Sequence, residues 1–341
     1  MDTEKKFKKT IIITGGAGYI GSIVTKTLLQ NNYRVICIDN LRYGDKGIIN
    51  LYTNPNFTFK NIDITNHGLI ANVLNNTPDC YAVVHLAAIV GDPACKLEPE
   101  LAGNINLTSS INLLEKSIQC SIGRFIFAST CSNYGKMTNT DGYVYETTPL
   151  APLSLYSELK VKVENYILNE ITKSEEFSPT CLRFATVFGI SPRMRFDLTV
   201  NEFTKEIAIG NKLVIFGEQF WRPYCHVTDF SSAILNVLSQ PKEKTAYQVY
   251  NVGNTQENYT KQMIVDYLKK LEPNLNVEYV SKNEDPRDYK VNFDKISREL
   301  GFRTSKTVFQ GMSEIFSKVR NGYFGDVNDQ IYYNTPYNSA K

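Results

Sequence analysis

The chain is poor in the residues that build metal sites and disulfide frameworks. Its three histidines, His67, His85 and His226, are far apart and offer no zinc-ligand spacing. Its seven cysteines, Cys37, Cys80, Cys95, Cys120, Cys131, Cys181 and Cys225, are odd in number and contain no Cys-x-x-Cys pair. That excludes a fully paired scaffold and reads as reduced, mostly buried thiols. No apolar run approaches the ~18 residues of a membrane span, and the longest candidate, YAVVHLAAIV, contains a histidine. The leader MDTEKKFKK lacks the apolar segment of a secretory signal. It reads as a solvated lead-in to the first strand, and the protein is expected to be cytoplasmic. A net charge of +2 supplies no basic excess to hold nucleic acid. Internal repeats and low-complexity linkers are absent as well.

What is present suits a large core. The 341 residues are 42% hydrophobic and 21% charged, a length that bounds the chain to two domains or one large one. Apolar runs bounded by turn residues at Thr10–Ile13, Arg34–Ile38, Phe57–Phe59, Ala82–Leu86, Arg124–Ala128 and Thr180–Phe184 read as strands. Helical patterns lie between them, with Ile20, Ile23, Val24 and Leu28 on one face and Ile111, Leu114 and Ile118 on another. Strands alternating with helices predict an α/β, doubly wound parallel sheet. Beyond about Phe188 the pattern loosens. A helix capped by Thr260 is expected, with Met263, Ile264, Tyr267, Leu268 and Leu271 as its apolar face. The final NDQIYYNTPYNSAK reads as a surface tail.

Directly after the first strand comes TIIITGGAGYIGS, where Gly15, Gly18 and Gly21 form G-x-x-G-x-x-G. Such a turn lets backbone approach a pyrophosphate, while the following helix offers unpaired N–H groups and a positive dipole end. Asp39 closes the next strand, near the ~20-residue spacing at which an acidic side chain meets a ribose diol. An acid there repels a 2′-phosphate and favours NAD over NADP, although Arg42 nearby keeps NADP open.

TGGAGYIGS resembles the cofactor turn of the extended short-chain dehydrogenases/reductases, the family of nucleotide-sugar epimerases and dehydratases that includes UDP-glucose 4-epimerases. Further stretches match in the same order over nearly the whole chain. CIDN, with Asp39 and Asn40, resembles the adenosine-binding strand end. NID followed by Ile64, with Asp63, resembles the adenine contact. HLAA, with Leu86, Ala87 and Ala88, resembles the loop beneath the nicotinamide ribose, and Asn106 matches the family's helix asparagine. The resemblance implies a Rossmann-type fold with a smaller interleaved C-terminal substrate-binding domain. It implies NAD bound by Gly15, Gly18, Tyr19, Ile20 and these residues. Residues 1–182, with 226–254 returning, are expected to hold NAD, and 183–341 mainly the nucleotide sugar.

LYSELK places Tyr156 and Lys160 four residues apart, on one helical face. A free tyrosine titrates near ~10; a lysine ammonium and a cationic nicotinamide beside it favour the phenolate. By resemblance these two join Thr130, found five residues before Gly135 in FASTCSNYG, as the catalytic set. Ser129 is the competing hydroxyl. Family members that eliminate water from C5 and C6 carry Asp-Glu directly after this threonine. This chain has Cys131 and Ser132 there, which disfavours a 4,6-dehydratase; Cys131 either faces the substrate or is a packed thiol.

WRPYCHVTD and EDPRDY resemble two family segments whose arginines meet the sugar-nucleotide diphosphate, here Arg222 and Arg287. Paired guanidinium forks suit a diphosphate. Thr186 in LRFATVFG stands where hexose 4-epimerases usually carry an asparagine. Thr130, Thr186, Asn201, Arg222 and Arg287 are the expected substrate contacts. GISPRMRFD resembles a subgroup of nucleotide-sugar oxidoreductases, and Arg193 and Arg195 in it either add contacts or belong to a solvated loop. Leu159 replaces the small residue the family prefers before the lysine. The resemblance implies an NAD-dependent epimerase that oxidises an NDP-sugar, at C4, with a C4 dehydrogenase/reductase as the alternative. A non-catalytic dinucleotide sensor on the same fold is disfavoured by the intact Thr130, Tyr156 and Lys160. No metal, nucleic acid or membrane is expected as a partner, and a homodimer is.

Overall fold

Three consecutive isoleucines fill the centre of the molecule because both faces of their strand are covered. Ile11 and Ile13 point into one apolar cluster and Ile12 into another, all without exposure, which is the pattern of a parallel sheet packed between helices. The structure is a computed structural model describing residues 9–137, 142–281 and 288–336. In chain order its strands are β1 (Thr10–Thr14), β2 (Arg34–Asp39), β3 (Phe57–Asn61), β4 (Cys80–His85), β5 (Arg124–Thr130), β6 (Ser178–Phe184), β7 (Thr186–Phe188), β8 (Leu213–Phe216), β9 (Trp221–His226), β10 (Gln248–Val252), β11 (Asn258–Thr260) and β12 (Val277–Val280).

Seven of these form a parallel sheet in the order β10-β6-β5-β4-β1-β2-β3. The chain reverses direction across the sheet between β1 and β4, so a crevice opens at their carboxyl ends. On one face lie the helices Tyr19–Gln30 and Val227–Ser239, contributing Val24, Leu28, Ala233 and Ile234 to the core. On the other lie Ser110–Gln119 and Leu155–Asn165, contributing Leu113, Leu114, Leu159 and Val163. Leu159 is therefore a packing residue, and its size is taken up by this core.

The remaining strands make two small sheets, β11-β9-β7 and β12-β8. They pack with the helices Lys261–Leu271 and Val308–Arg320 around Phe188, Tyr224, Ile264 and Met312. Among the described residues no helix is long and apolar enough to cross a membrane.

Strand positions follow the sequence pattern closely, and three other expectations need correction. Thr260 caps its helix by accepting from Met263 N at 3.3 Å, yet Met263 itself is 42% exposed and stands off the apolar face. In Ser110–Gln119 the buried stripe is Leu113, Leu114 and Ser117, while Ile118 faces outward. The C-terminal segment is not a surface tail through residue 336. Tyr332 and Tyr333 fold back, Phe196 N donates to Tyr332 O at 3.0 Å, and Tyr333 is buried. Two aromatic rings gain more from burial than a solvated strand does, a preference that hydropathy averaged over a polar stretch conceals.

Candidate functional site

One cavity of about 900 Å³ opens over the carboxyl ends of β1 to β6. The glycine turn forms its floor. Gly15 has φ +72°, and a Cβ there would lie 2.6 Å from Ala87 N. A Cβ on Gly21 would lie 2.0 Å from Gly15 O. Side chains at either site would force the turn apart, so the glycines are required by close approach of backbone to backbone. The helix that follows starts at Gly18 with no side-chain cap and no acid in its first turn. Its leading N–H groups and positive dipole end therefore face the cavity without a carboxylate.

Asp39 sits at the end of β2. Its Oδ2 accepts from Ala17 N at 3.0 Å and its Oδ1 from Leu41 N at 2.8 Å. Burial pushes its carboxyl above the usual range, against the pull of those two N–H groups and of Arg193. A carboxylate has about four lone-pair sites, so acceptor capacity remains for a diol. Asn40 donates to Asp63 Oδ2 at 2.7 Å. Burial raises the Asp63 carboxyl, but hydrogen bonds from Thr65 and Asn40 outweigh it and hold the group down. Ile20, Ile64, Leu86, Ala87 and Ala88 also line the cavity.

The far wall carries Thr130, Tyr156 and Lys160. Ser154 and Ser157 cap the helix Leu155–Asn165 reciprocally, fixing its entry beside β5. Lys160 is 2% exposed, and its Nζ lies 5.9 Å from the Tyr156 ring centroid and 4.7 Å from that of Phe127. Burial pulls its ammonium down to about 8, so it is still mainly protonated at neutral pH. Burial, with Cys95 adding to it, raises the Tyr156 phenol. Thr130 Oγ1 accepts from Ser132 N at 3.1 Å, which leaves its own proton to donate. Ser129 is spent elsewhere, donating to Glu164 Oε2 at 2.8 Å. Cys131 is a packed thiol that points at Arg183 O, 3.2 Å away.

Three other expected residues, Asn106, Asn201 and Arg222, stand apart from the cavity wall. Asn106 is buried and clamps the loop after β4, accepting from Ile89 N and donating to Ile89 O, both at 2.8 Å. Asn201 accepts from Gly189 N at 2.9 Å and donates to Arg195 O at 2.8 Å and Tyr19 Oη at 3.1 Å. The Tyr19 hydroxyl in turn donates to Gly189 O. Buried amides that pair with backbone serve to shape loops, which spacing alone does not distinguish from ligand binding. Arg222 is one ring removed: its guanidinium lies 5.5 Å from the centroid of Tyr289, and Tyr289 lines the cavity. Thr186 lines the cavity; Arg287 lies outside the described residues.

Several cavity residues carried no signal in the sequence. Tyr289 approaches Ser132, with 3.5 Å between oxygens, and Tyr333 to Pro336 close one side. His85, one residue before the lining residue Leu86, stays off the cavity wall and is buried between Thr14 Oγ1 at 2.7 Å and Ser110 Oγ at 2.8 Å. Arg193 and Arg195 both reach the cavity, so their loop is not a solvated one. The charges of PRMRFD hide this, because the burial comes from contacts distant in sequence.

The family model described as the NAD dependent epimerase/dehydratase family matches residues 11–253. The chain belongs to that family. Its members are NAD-dependent enzymes, and the glycine cradle, the uncapped helix N-terminus and Asp39 fit the dinucleotide. A putative UDP-glucose 4-epimerase of Methanocaldococcus jannaschii is 28% identical over 317 residues, covering 91% of this chain and 98% of that one. The UDP-glucose 4-epimerase of Thermotoga maritima, solved with UDP-glucose, superposes with TM-score 0.80 at 27% identity, covering 92% and 99% of the two chains. The dTDP-glucose 4,6-dehydratase of Bacillus anthracis, solved with NAD, gives the same TM-score and identity over 93% and 98%. Within the family this chain is therefore similar both to 4-epimerases and to a dehydratase.

Proposed function

We propose that the protein is an NAD-dependent nucleotide-sugar 4-epimerase. One observation carries the reading: a buried lysine ammonium and a tyrosine share the cavity with a free threonine hydroxyl and the dinucleotide turn. Residues 1–182 with 226–254 hold the dinucleotide, and 183–341 mainly the nucleotide sugar. Held by the glycine turn and Asp39, NAD would supply the hydride acceptor for oxidation of the C4 carbinol and the donor for its re-reduction. Tyr156, as phenolate, takes the proton of the C4 hydroxyl, and Thr130 donates a hydrogen bond to the same oxygen. Lys160 stabilises the phenolate electrostatically. Its task is large: about 4 kcal/mol covers only the roughly 3 units from a free phenol to neutrality, and burial moves Tyr156 the other way, so two cations in a partly dry site must offset that as well.

The positions after Thr130 support epimerisation over elimination. Cys131 is occupied with a backbone carbonyl and Ser132 carries no charge, so neither supplies the acid or base that removal of water needs. Turnover of UDP-, GDP- and dTDP-sugars, followed by product NMR and by absorbance of the reduced cofactor, tests this. An epimeric sugar at constant absorbance is expected. A keto sugar appearing with rising absorbance would make the enzyme a C4 dehydrogenase instead. Tyr156→Phe should abolish turnover while retaining NAD; full activity in that variant would overturn the mechanism.

A further inference from the structure

One guanidinium on the cavity wall makes no ion pair among the described residues. Arg193 is 4% exposed, and neither its Nε nor its Nη2 meets a hydrogen-bond acceptor. Its neighbour Arg195 differs: Nε and Nη2 donate to the two oxygens of Asp197, each at 2.9 Å. A guanidinium taken out of water without a partner is costly, so its position implies an anionic ligand.

The loop around it shows which ligand. Ser191 Oγ donates to Tyr19 O at 2.7 Å and lies 3.0 Å from Ser22 Oγ. Asn201 joins the same loop to the Tyr19 hydroxyl. These bonds seat residues 189–195 on the first turn of the helix whose N–H groups are uncapped. The Arg193 guanidinium lies 4.4 Å from the Tyr43 ring centroid, on the loop that leaves Asp39, and its charge acts on the Asp39 carboxyl. Arg193 thus stands on the dinucleotide side of the cavity, between the glycine turn and the ribose-binding acid.

We propose that Arg193 is the cationic partner of the cofactor's diphosphate, completing the helix N-terminus as an anion site, with Tyr43 holding the guanidinium plane. The assignment rests on the NAD reading above and deepens it. Two parallel N–H donors match a pair of phosphate oxygens, and the aromatic face keeps the fork from rotating away. It also makes cofactor binding depend on a segment that belongs by sequence to the substrate half.

The test is the affinity of the full-length protein for NAD and, separately, for UDP, by calorimetry at fixed salt, in Arg193→Gln and Arg193→Lys. Arg193→Gln is expected to weaken NAD about tenfold to a hundredfold and to leave UDP within about twofold. Arg193→Lys should weaken NAD by a smaller factor, since the charge stays and the fork goes. Unchanged NAD affinity in Arg193→Gln would overturn the assignment. Weakened UDP with unchanged NAD would overturn it too, by giving the arginine to the substrate. If Arg193→Gln does not fold, unchanged NAD affinity in Arg193→Lys overturns it. Wild-type protein that binds NAD but turns over no nucleotide sugar sinks the epimerase reading alone and leaves the Arg193 result to be judged separately.

Discussion

Glu164 receives Arg183 face on: Nε of the arginine donates to Oε1 at 3.0 Å and Oε2 at 3.2 Å, and Nη2 also donates to Oε1. The pair is almost fully buried, and it ties the helix that carries Tyr156 and Lys160 to β6. Ser129 on β5 joins through Glu164 Oε2, and Arg183 Nη1 continues to Tyr134 Oη at 2.9 Å. Three elements of the site are thereby fixed to one another by charge-assisted bonds.

Breaking that pair should cost more than its net worth. Glu164→Gln leaves a buried guanidinium without its anion, and a loss of about 3 kcal/mol of stability is expected. Urea unfolding of the variant beside wild type measures it. A midpoint within error of wild type would show that the ion pair does not hold the helix.

The two hydroxyls at the end of β5 should separate cleanly. Thr130→Val removes the free donor and is expected to lower kcat by a factor of about 100 or more. Ser129→Ala removes a structural bond, with about 1 kcal/mol lost in stability and kcat within a few-fold. Steady-state kinetics and unfolding on both variants decide; the reverse pattern would make Ser129 the substrate contact.

Asp39 should set cofactor choice. Asp39→Ala removes an acceptor for the ribose diol and the charge that repels a 2′-phosphate. NAD should bind about tenfold more weakly, and its margin over NADP should shrink. Dissociation constants for both nucleotides check this. An unchanged ratio would mean that another group discriminates.

Acid should destabilise the fold through two histidines. Burial pulls both His85 and His226 down to about 3, below the unfolded value of about 6.5. The unfolded chain therefore binds more protons between those limits, so stability is full above pH 6.5 and falls as pH drops toward 3. About 2 kcal/mol per histidine should be gone by pH 5. Urea unfolding at pH 7 and 5 measures the slope, and His85→Asn should reduce it.

Much of this was legible in the residues because it depends on local chemistry. TIIIT followed by glycines specifies a buried parallel strand and a turn without side chains. Asp39, Thr130, Tyr156 and Lys160 sit at strand ends or on one helical face, where period and spacing fix direction. Spacing informs less about buried amides. Asn106 and Asn201 have the right residue type near the right elements, but their amides are consumed by the backbone of Ile89, Gly189 and Arg195.

The sequence by itself determined the sheet, the cofactor turn and the helical face shared by Tyr156 and Lys160, since hydrophobic period and glycine sterics act within a few residues. Tertiary structure alone decided which polar groups are left to bind a ligand. That depends on partners far along the chain: Ser129 is taken by Glu164, Arg195 by Asp197, and Tyr333 folds back to the cavity. Arg193 is left over because Asp197 is committed to Arg195 and Asp39 is held by the backbone N–H groups of Ala17 and Leu41, a subtraction that only the folded chain performs.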